Sequence, residues 1–384
     1  MFLNSLFGIY VHWPFCASKC PYCDFNSHVA RTIDNVAWRD AYRQEIAHYA
    51  PLTSNRTVTS IFFGGGTPSL MEPQTVEMVI NEVARHWKLS ADIEITLEAN
   101  PTSIEFDKFK AFRAAGVNRV SVGVQALNDA DLKFLGRQHS AKEAIKALET
   151  AKNTFDRFSY DLIYARPEQT VAQWRDELTQ ALSIAESHLS LYQLTIEQGT
   201  PFYMQHARGE FRIPDGDMAG EFYEVTQEIM NAAGLPAYEI SNHARAGEES
   251  RHNLAYWRYA DYVGIGPGAH GRLTLNGEKK ATRAHRAPDI WMKRITEQGH
   301  GAHPFEDVSP SERFTEALMM GMRLRDGVNL EEIAQDSGQS WQSRLEQGKL
   351  DALIAEGMLV QDGSSLRPTE AGMQRLNGIL SYLL

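Results

Sequence analysis

From residue 9 to about residue 196 the chain alternates short β-branched or apolar runs with amphipathic stretches of helical period, and nothing else in its 384 residues restricts the fold as strongly. Such alternation is the pattern of βαβ units built around a parallel sheet. Six runs read as strands, at 9–13, 58–63, 93–98, 117–124, 158–164 and 189–196. Helix signals lie between them. Asp34 precedes one amphipathic run, Pro73 stands near the start of the next, and Ser140-Ala141-Lys142-Glu143 has the spacing of a capping box. Gly116 stops a helix expected to start near Ser103. Six βα units fall short of the eight that close a full barrel, so an open, partial barrel is expected.

Beyond Gly199 the alternation fades, leaving a helix over about 216–233, a glycine-rich stretch at 264–271 and a second helix near Pro288. From about Ser309 the order is helix, helix, helix, a short hairpin around Asp362-Gly363, and helix, which reads as a small winged-helix-like unit. The expected architecture is therefore α/β: a partial (β/α)6 barrel at 1–205, a linking extension at 206–305 and a winged-helix-like C-terminal domain at 306–384.

A net charge of −11 argues against a broad nucleic-acid surface, which needs clustered excess Lys and Arg. No apolar run approaches the roughly 18 residues of a membrane span. The opening residues 1–7 lack the basic start and small-residue cleavage site of a secretory signal, so a cytoplasmic location is expected. All three cysteines fall within eight consecutive positions, an odd and compact group unlike a disulfide framework. A cofactor explains them better.

Cys16-Ala17-Ser18-Lys19-Cys20-Pro21-Tyr22-Cys23 spaces three thiolates by three and then two residues. In a compact loop they can bind three corners of a 4Fe-4S cube and leave one iron without a protein ligand. That iron can hold the amino and carboxylate groups of S-adenosylmethionine (SAM) and pass it one electron. The competing reading is zinc, but tetrahedral zinc takes four ligands, and His12 and His28 are poorly spaced to be the fourth.

The spacing is the signature of the radical SAM family, which the chain resembles, and the ends of the expected strands present residues that fit it. Tyr10 lies on the first strand, and Tyr22 can pack against an adenine. Gly64-Gly65-Gly66-Thr67-Pro68 follows the second strand, where missing side chains allow the backbone to approach the SAM amino group. Glu98 ends the third strand as an acceptor for ribose or amino groups. Gln125 ends the fourth with Arg137 beyond it as a partner for a carboxylate, and Asp161 lies in the fifth. Taken singly, such polar residues are more often caps or salt bridges; their joint placement on one barrel face is what counts.

Tyr10-Val11-His12-Trp13-Pro14-Phe15-Cys16, Ser121-Val122-Gly123-Val124-Gln125 and Asp161-Leu162-Ile163-Tyr164 resemble the branch that contains oxygen-independent coproporphyrinogen III oxidase, over nearly the whole chain. The oxidase has a fourth cysteine one residue beyond its cluster motif and a longer leading segment; here that position is Phe25, and 15 residues precede Cys16. Both features are instead similar to the haem chaperones of the branch, as is His252-Asn253-Leu254-Ala255-Tyr256-Trp257, whose HNxxYW pattern that subgroup associates with haem. The resemblance implies haem as a third cofactor, with His252 as axial ligand and Asn253, Tyr256 and Trp257 around the porphyrin. It implies apo-haemoproteins, such as respiratory enzymes, as partners, and leaves room for a homodimer and for transient peripheral membrane contact. The bland alternative for His252 is a satisfied aromatic core cluster. The alternative activity is coproporphyrinogen oxidation. Glu239-Ile240-Ser241-Asn242-His243, the glycine-rich stretch and Gly199-Thr200-Pro201-Phe202 also resemble the subgroup. One departure stands out: the branch usually has Gly, Leu, Pro and Gly at 165–168, where this chain has Ala165, Arg166, Pro167 and Glu168.

Overall fold

The computed structural model describes every residue except 1–5, 31, 103, 104 and 106. Strand β1 (Phe7–Trp13) runs into a small parallel pair, β2 (Phe15–Cys16) and β3 (His28–Val29), which brackets the cysteine loop. The main sheet continues through β4 (Thr57–Gly65), β5 (Lys88–Ala99), β6 (Arg119–Gln125), β7 (Arg157–Tyr164) and β8 (His188–Gln193), all parallel in sequence order. With β1, these are the six strands expected from the alternation. The intervening helices start as their sequences dictate. Asp34 accepts from the amide of Ala37, Pro73 is the first residue of its helix, and Ser140 and Glu143 close a reciprocal capping box. The start expected near Ser103 lies outside the described residues; the helix is described over Phe109–Ala114.

The extension does more than link. It adds β9 (Asn242–Ala244) antiparallel to β8 at one edge. At the other edge β10 (Asp261–Ile265) lies parallel to β1, followed by antiparallel β11 (His270–Leu275), β12 (Glu278–Arg283) and β13 (Glu306–Asp307). Among the described residues the result is one eleven-stranded sheet, in which the six expected strands are continued at both edges by the extension. These added strands are two to six residues long and rich in glycine and charge around their turns, which is why periodicity does not reveal them.

On β1 alternate residues serve two faces. Ile9, Val11 and Trp13 are buried against the helix Asn35–Thr53, where Trp38 stacks on Trp291 with ring centres 5.1 Å apart. Gly8, Tyr10 and His12 point the other way, onto the inner face that carries the functional residues. The C-terminal unit has its own core, around Phe314, Leu318, Leu350, Leu366 and Leu380. It combines helices with a small antiparallel sheet of β14 (Val328–Asn329), β15 (Leu359–Asp362) and β16 (Ser365–Pro368), with β16 central.

One buried carboxylate pins the extension to the barrel. Glu45, within the helix Asn35–Thr53, accepts from the amides of Gly266 (2.7 Å) and Gly301 (2.9 Å) and from the indole nitrogen of Trp291 (3.0 Å). Burial pushes its pKa up to about 7, against the pull of those three donors. Glu45→Ala would strand all three, and each buried donor without an acceptor costs about 1–3 kcal/mol. Denaturant unfolding should therefore show a loss of roughly 3 kcal/mol or more, with Glu45→Gln, which keeps one acceptor oxygen, losing less.

Candidate functional site

Cys16 ends β2, and Cys20 and Cys23 lie in the loop that follows it, past the C-terminal end of β1, all partly accessible and unbridged. Each sulfur has a polar neighbour from a different element. Thr67 Oγ1 donates to Cys16 Sγ (3.3 Å), Arg137 Nη1 to Cys20 Sγ (3.3 Å), and Ser27 Oγ lies 4.0 Å from Cys23 Sγ. Burial and the neighbouring thiols push the Cys16 pKa up, and the Thr67 hydrogen bond opposes them. Among the described residues no three His, Cys, Asp or Glu side chains converge on one point as a single metal ion requires. Three thiols from one loop are the donor set of a cubane that keeps one iron open, each thiolate taking a separate iron.

The glycine run after β4 is shaped by contact with this loop. The amide of Gly66 donates to Trp13 O (2.7 Å) and that of Thr67 to Phe15 O (2.9 Å). A Cβ on Gly66 would fall 2.7 Å from Phe15 O; Gly65 has φ +112, and its Cβ would fall 2.6 Å from the His12 ring. The Gly65 amide faces the Glu98 carboxylate. These amides are thus engaged within the protein, and it is the carbonyls of the run that can receive an ammonium group.

Arg137 sits at the centre of the mouth. Besides Cys20 it donates to Asn100 Oδ1 (2.5 Å), Gly123 O (2.8 Å) and Tyr22 Oη (3.5 Å), while its buried Nε has no partner among the described residues. A guanidinium fixed by these acceptors beside Cys20 places a positive charge at the mouth, of the kind that favours the carboxylate of a small ligand. Asn100 also donates to Thr67, so it joins the glycine run to Arg137. Gln125 ends β6 in the left-handed region, at φ +77, where the register with β7 shifts. Tyr22 packs beside Phe202, whose amide donates to Pro21 O; Thr200 caps the helix Pro201–Ala207 that presents Phe202. The Gly199–Phe202 motif therefore buttresses the cysteine loop. So does the glycine-rich turn after β10, where Pro267 O accepts from Asn26.

Deeper on the same face Glu98 and Asp161 confront each other across Ser121. Burial and the Asp161 charge push Glu98 up to about 8, with the Gly65 amide and Arg119 pulling it back. Burial likewise raises Asp161 to about 6 against hydrogen bonds from Ser190 and Ser121 and the charges of Arg119 and Arg137. Two carboxyls of this kind suit a cationic guest.

His252 enters the same interior. The helix Arg251–Trp257 is capped by Ser250, and Glu94 on β5 accepts from the amides of Arg251 (3.0 Å) and His252 (3.3 Å). The His252 ring stacks on Phe62 (4.9 Å) and lies near Tyr10 (6.2 Å), and its Nδ1 is 3.1 Å from Ser60 Oγ. Burial lowers its pKa to about 3, so the imidazole is neutral and Nε2 takes no hydrogen bond from a described residue. Tyr256, one turn on, shares this face and meets Tyr262 edge-on at 5.6 Å. Asn253 and Trp257 face elsewhere: Asn253 bonds Tyr238, and Trp257 lines a cavity of about 490 Å³ shared with Tyr238, Arg325 and the C-terminal unit. Tyr256 and Trp257 still meet edge-on, with ring centres 5.4 Å apart, so the two aromatic rings of the motif stay adjacent although they border different hollows. Ser60, Phe62 and Asn100 belong to the site, and their signal is their alternation with buried residues on β4 and their place just past β5.

Comparison with known proteins accords with this arrangement. The pattern of the Radical SAM superfamily matches residues 10–181, and that of the HemN C-terminal domain matches residues 308–375. The mouse protein named radical S-adenosyl methionine domain-containing protein 1, mitochondrial, is 41% identical over 98% of this chain and 87% of its own length. The heme chaperone HemW of Escherichia coli is 35% identical over 98% of both chains, and that of Haemophilus influenzae 34% identical over 98% of this chain and 97% of its own. The chain belongs to the radical SAM superfamily, in its HemW-type branch. The solved coproporphyrinogen III oxidase (HemN) of E. coli shares the fold, with a TM-score of 0.82 at 21% identity over 99% of this chain and 90% of that one.

Against that branch the loop after β7 can be read. Ala165 (φ +55) and Glu168 (φ +59) hold left-handed conformations at the two positions where glycine is usual, at a cost of about 1–2 kcal/mol each. Arg166, 2% exposed, offsets this by bridging Glu177 (2.5 Å) and Asp131 (2.8 Å) and donating to Ile163 O (2.8 Å). Arg166→Met would leave Glu177 buried beside Asp131 without its cation and should lower stability by about 3–5 kcal/mol in denaturant unfolding. A pH series tests the interior. Because the folded pKa of Glu98 lies above its ordinary value, its contribution is complete at acid pH and is lost as pH rises through about 8. Glu98→Gln should flatten the fall in thermal midpoint between about pH 4.5 and 8 and leave the slope above that unchanged.

Proposed function

We propose that this chain is a cytoplasmic haem chaperone that holds a 4Fe-4S cluster on Cys16, Cys20 and Cys23 and SAM beside it, binds haem through His252 and delivers it to apo-haemoproteins such as respiratory enzymes. The observation that carries the reading is the neutral His252 imidazole on the inner face below the three-thiol mouth, in a chain similar end to end to bacterial proteins named heme chaperone. Among the described residues no helix is long and apolar enough to cross a membrane.

The residues divide the work. Cys16, Cys20 and Cys23 hold the cluster, with Thr67 and Arg137 donating to two of the sulfurs. Arg137 faces the SAM carboxylate and the carbonyls of Gly65 and Gly66 its amino group, with Asp161 supplying negative charge nearby and Glu98, raised to about 8, a hydrogen-bonding carboxyl. Tyr22 and Gln125 line the mouth. When bound, the cluster and SAM supply one-electron chemistry. His252 offers Nε2 to haem iron, with Ser60 fixing its ring orientation through Nδ1. Phe25 occupies the place of the oxidase's fourth cysteine and is 61% exposed, away from the interior, so coproporphyrinogen should yield no vinyl product with SAM and reductant.

Anaerobic reconstitution tests the reading. Wild type should carry close to four irons with a charge-transfer band that responds to SAM, and Cys16→Ala should lose that band. Haemin titration should give one tight Soret-detected site that His252→Ala weakens at least tenfold with a shifted maximum. Zinc in place of iron, or equal haemin binding by both proteins, would remove the corresponding half of the proposal.

A further inference from the structure

The inner face does not stop at β1. In register, Tyr10 pairs with Phe62 on one side and Gly264 on the other; Gly264 lies against His270, and His270 pairs with Arg283. Residues directly opposite one another share a sheet face. The row therefore passes from aromatic rings, across a position with no side chain, to an imidazole and a guanidinium. Gly264 is obligatory, since a Cβ there would fall 2.0 Å from His270 O. The row beneath reads Ser60, Gly8, Tyr262 and Arg272, and the face of the helix that bears His252 and Tyr256 lies over its start.

The far end of this strip is basic in a chain of net charge −11. His270, Arg283 and Arg286 are all exposed, and the carbonyl of Arg286 accepts from Asn26 of the cysteine loop, which fixes that segment beside the mouth. Arg272 is committed, with two nitrogens on the two oxygens of Glu316 (2.9 and 2.8 Å). Among the described residues Arg283 forms one ion pair, with Glu306, more than half exposed on both sides and of the kind that contributes little and exchanges readily. Arg286 has no ion pair among the described residues. From β1 to β12 is three strand spacings, about 14 Å. An aromatic shelf and a neutral imidazole at one end, with two exposed guanidiniums at the other beside His270, whose pKa burial and those arginines lower, suit a flat apolar ring that bears carboxylates at one edge.

We infer that this strip is a tetrapyrrole cradle in which the ring lies against Tyr262 and Tyr256 beside His252, and the free propionates are received by His270, Arg283 and Arg286. The inference rests on the haem reading above and adds what that reading lacks, a reason for selecting the dicarboxylate form in an acidic protein. A carboxylate approaching this chain meets general repulsion, so local cations decide where it is accepted.

The test compares haemin with its dimethyl ester, which keeps iron and ring but has no carboxylates, by Soret titration of the full chain. Wild type should bind haemin at least tenfold more tightly than the ester. Arg283→Gln/Arg286→Gln, at exposed positions where folding is not at stake, should bind haemin about tenfold more weakly and leave ester binding unchanged; Arg283→Lys/Arg286→Lys should restore part of the preference. Wild type that binds acid and ester alike, or a Gln double variant that keeps the preference, overturns the cradle while leaving haem binding intact. Failure of wild type to bind either form removes the haem reading and the cradle together.

Discussion

Two backbone hydrogen bonds, from Gly66 to Trp13 and from Thr67 to Phe15, hold the rest of the mouth in place. They press the turn after β4 against the segment that leads into Cys16, so closely that a single added carbon at Gly66 would collide with Phe15. From that contact a line of side chains runs around the strand ends. Thr67 donates to Cys16, Asn100 to Thr67, and Arg137 to Asn100 and to Cys20. Each member comes from a different βα unit, so the ring of strand ends is tied together by polar contacts as well as by the apolar cluster around Leu135, Ile163 and Phe202. Partly buried, the contacts gain strength from the low local dielectric and also cost more if broken.

Much of this was legible in residue order because local and global preferences agree. The six parallel strands carry β-branched and apolar residues on the face toward the helices and mix polar ones onto the inner face, and their helices carry explicit start signals at Asp34, Pro73 and Ser140. The cysteine spacing and the glycine run needed no third dimension to be noticed. The strands β9 to β13 were not legible, because a strand of two to six residues that completes an existing edge needs no periodicity of its own; the edge supplies its register.

The site was readable in its parts more than in its arrangement. His252 and Tyr256 lie one turn apart and share a face, whereas Trp257 lies more than a quarter-turn further round, where it meets the Tyr238 cavity. Helical geometry alone foretells that separation, but which face meets β1 and β4 depends on Glu94 receiving the first amides of the helix. The loop after β7 shows the same limit. Arg166 looked like a stray charge in residue order and is an internal strut, because its two carboxylate partners arrive from helices on either side of the loop.

The short helix that carries His252 has a neighbour on each flank. Toward the sheet it touches Ser60, Phe62 and Tyr262; on the opposite flank Leu254 and Trp257 border the hollow beside the C-terminal unit, with Arg323 over the Trp257 ring. Two turns of helix are too stiff to absorb displacement by bending, and packed surfaces pass strain onward. The imidazole and indole flanks therefore share one rigid two-turn body, which seats the interior face and the hollow beside the appended unit against the same short piece of backbone.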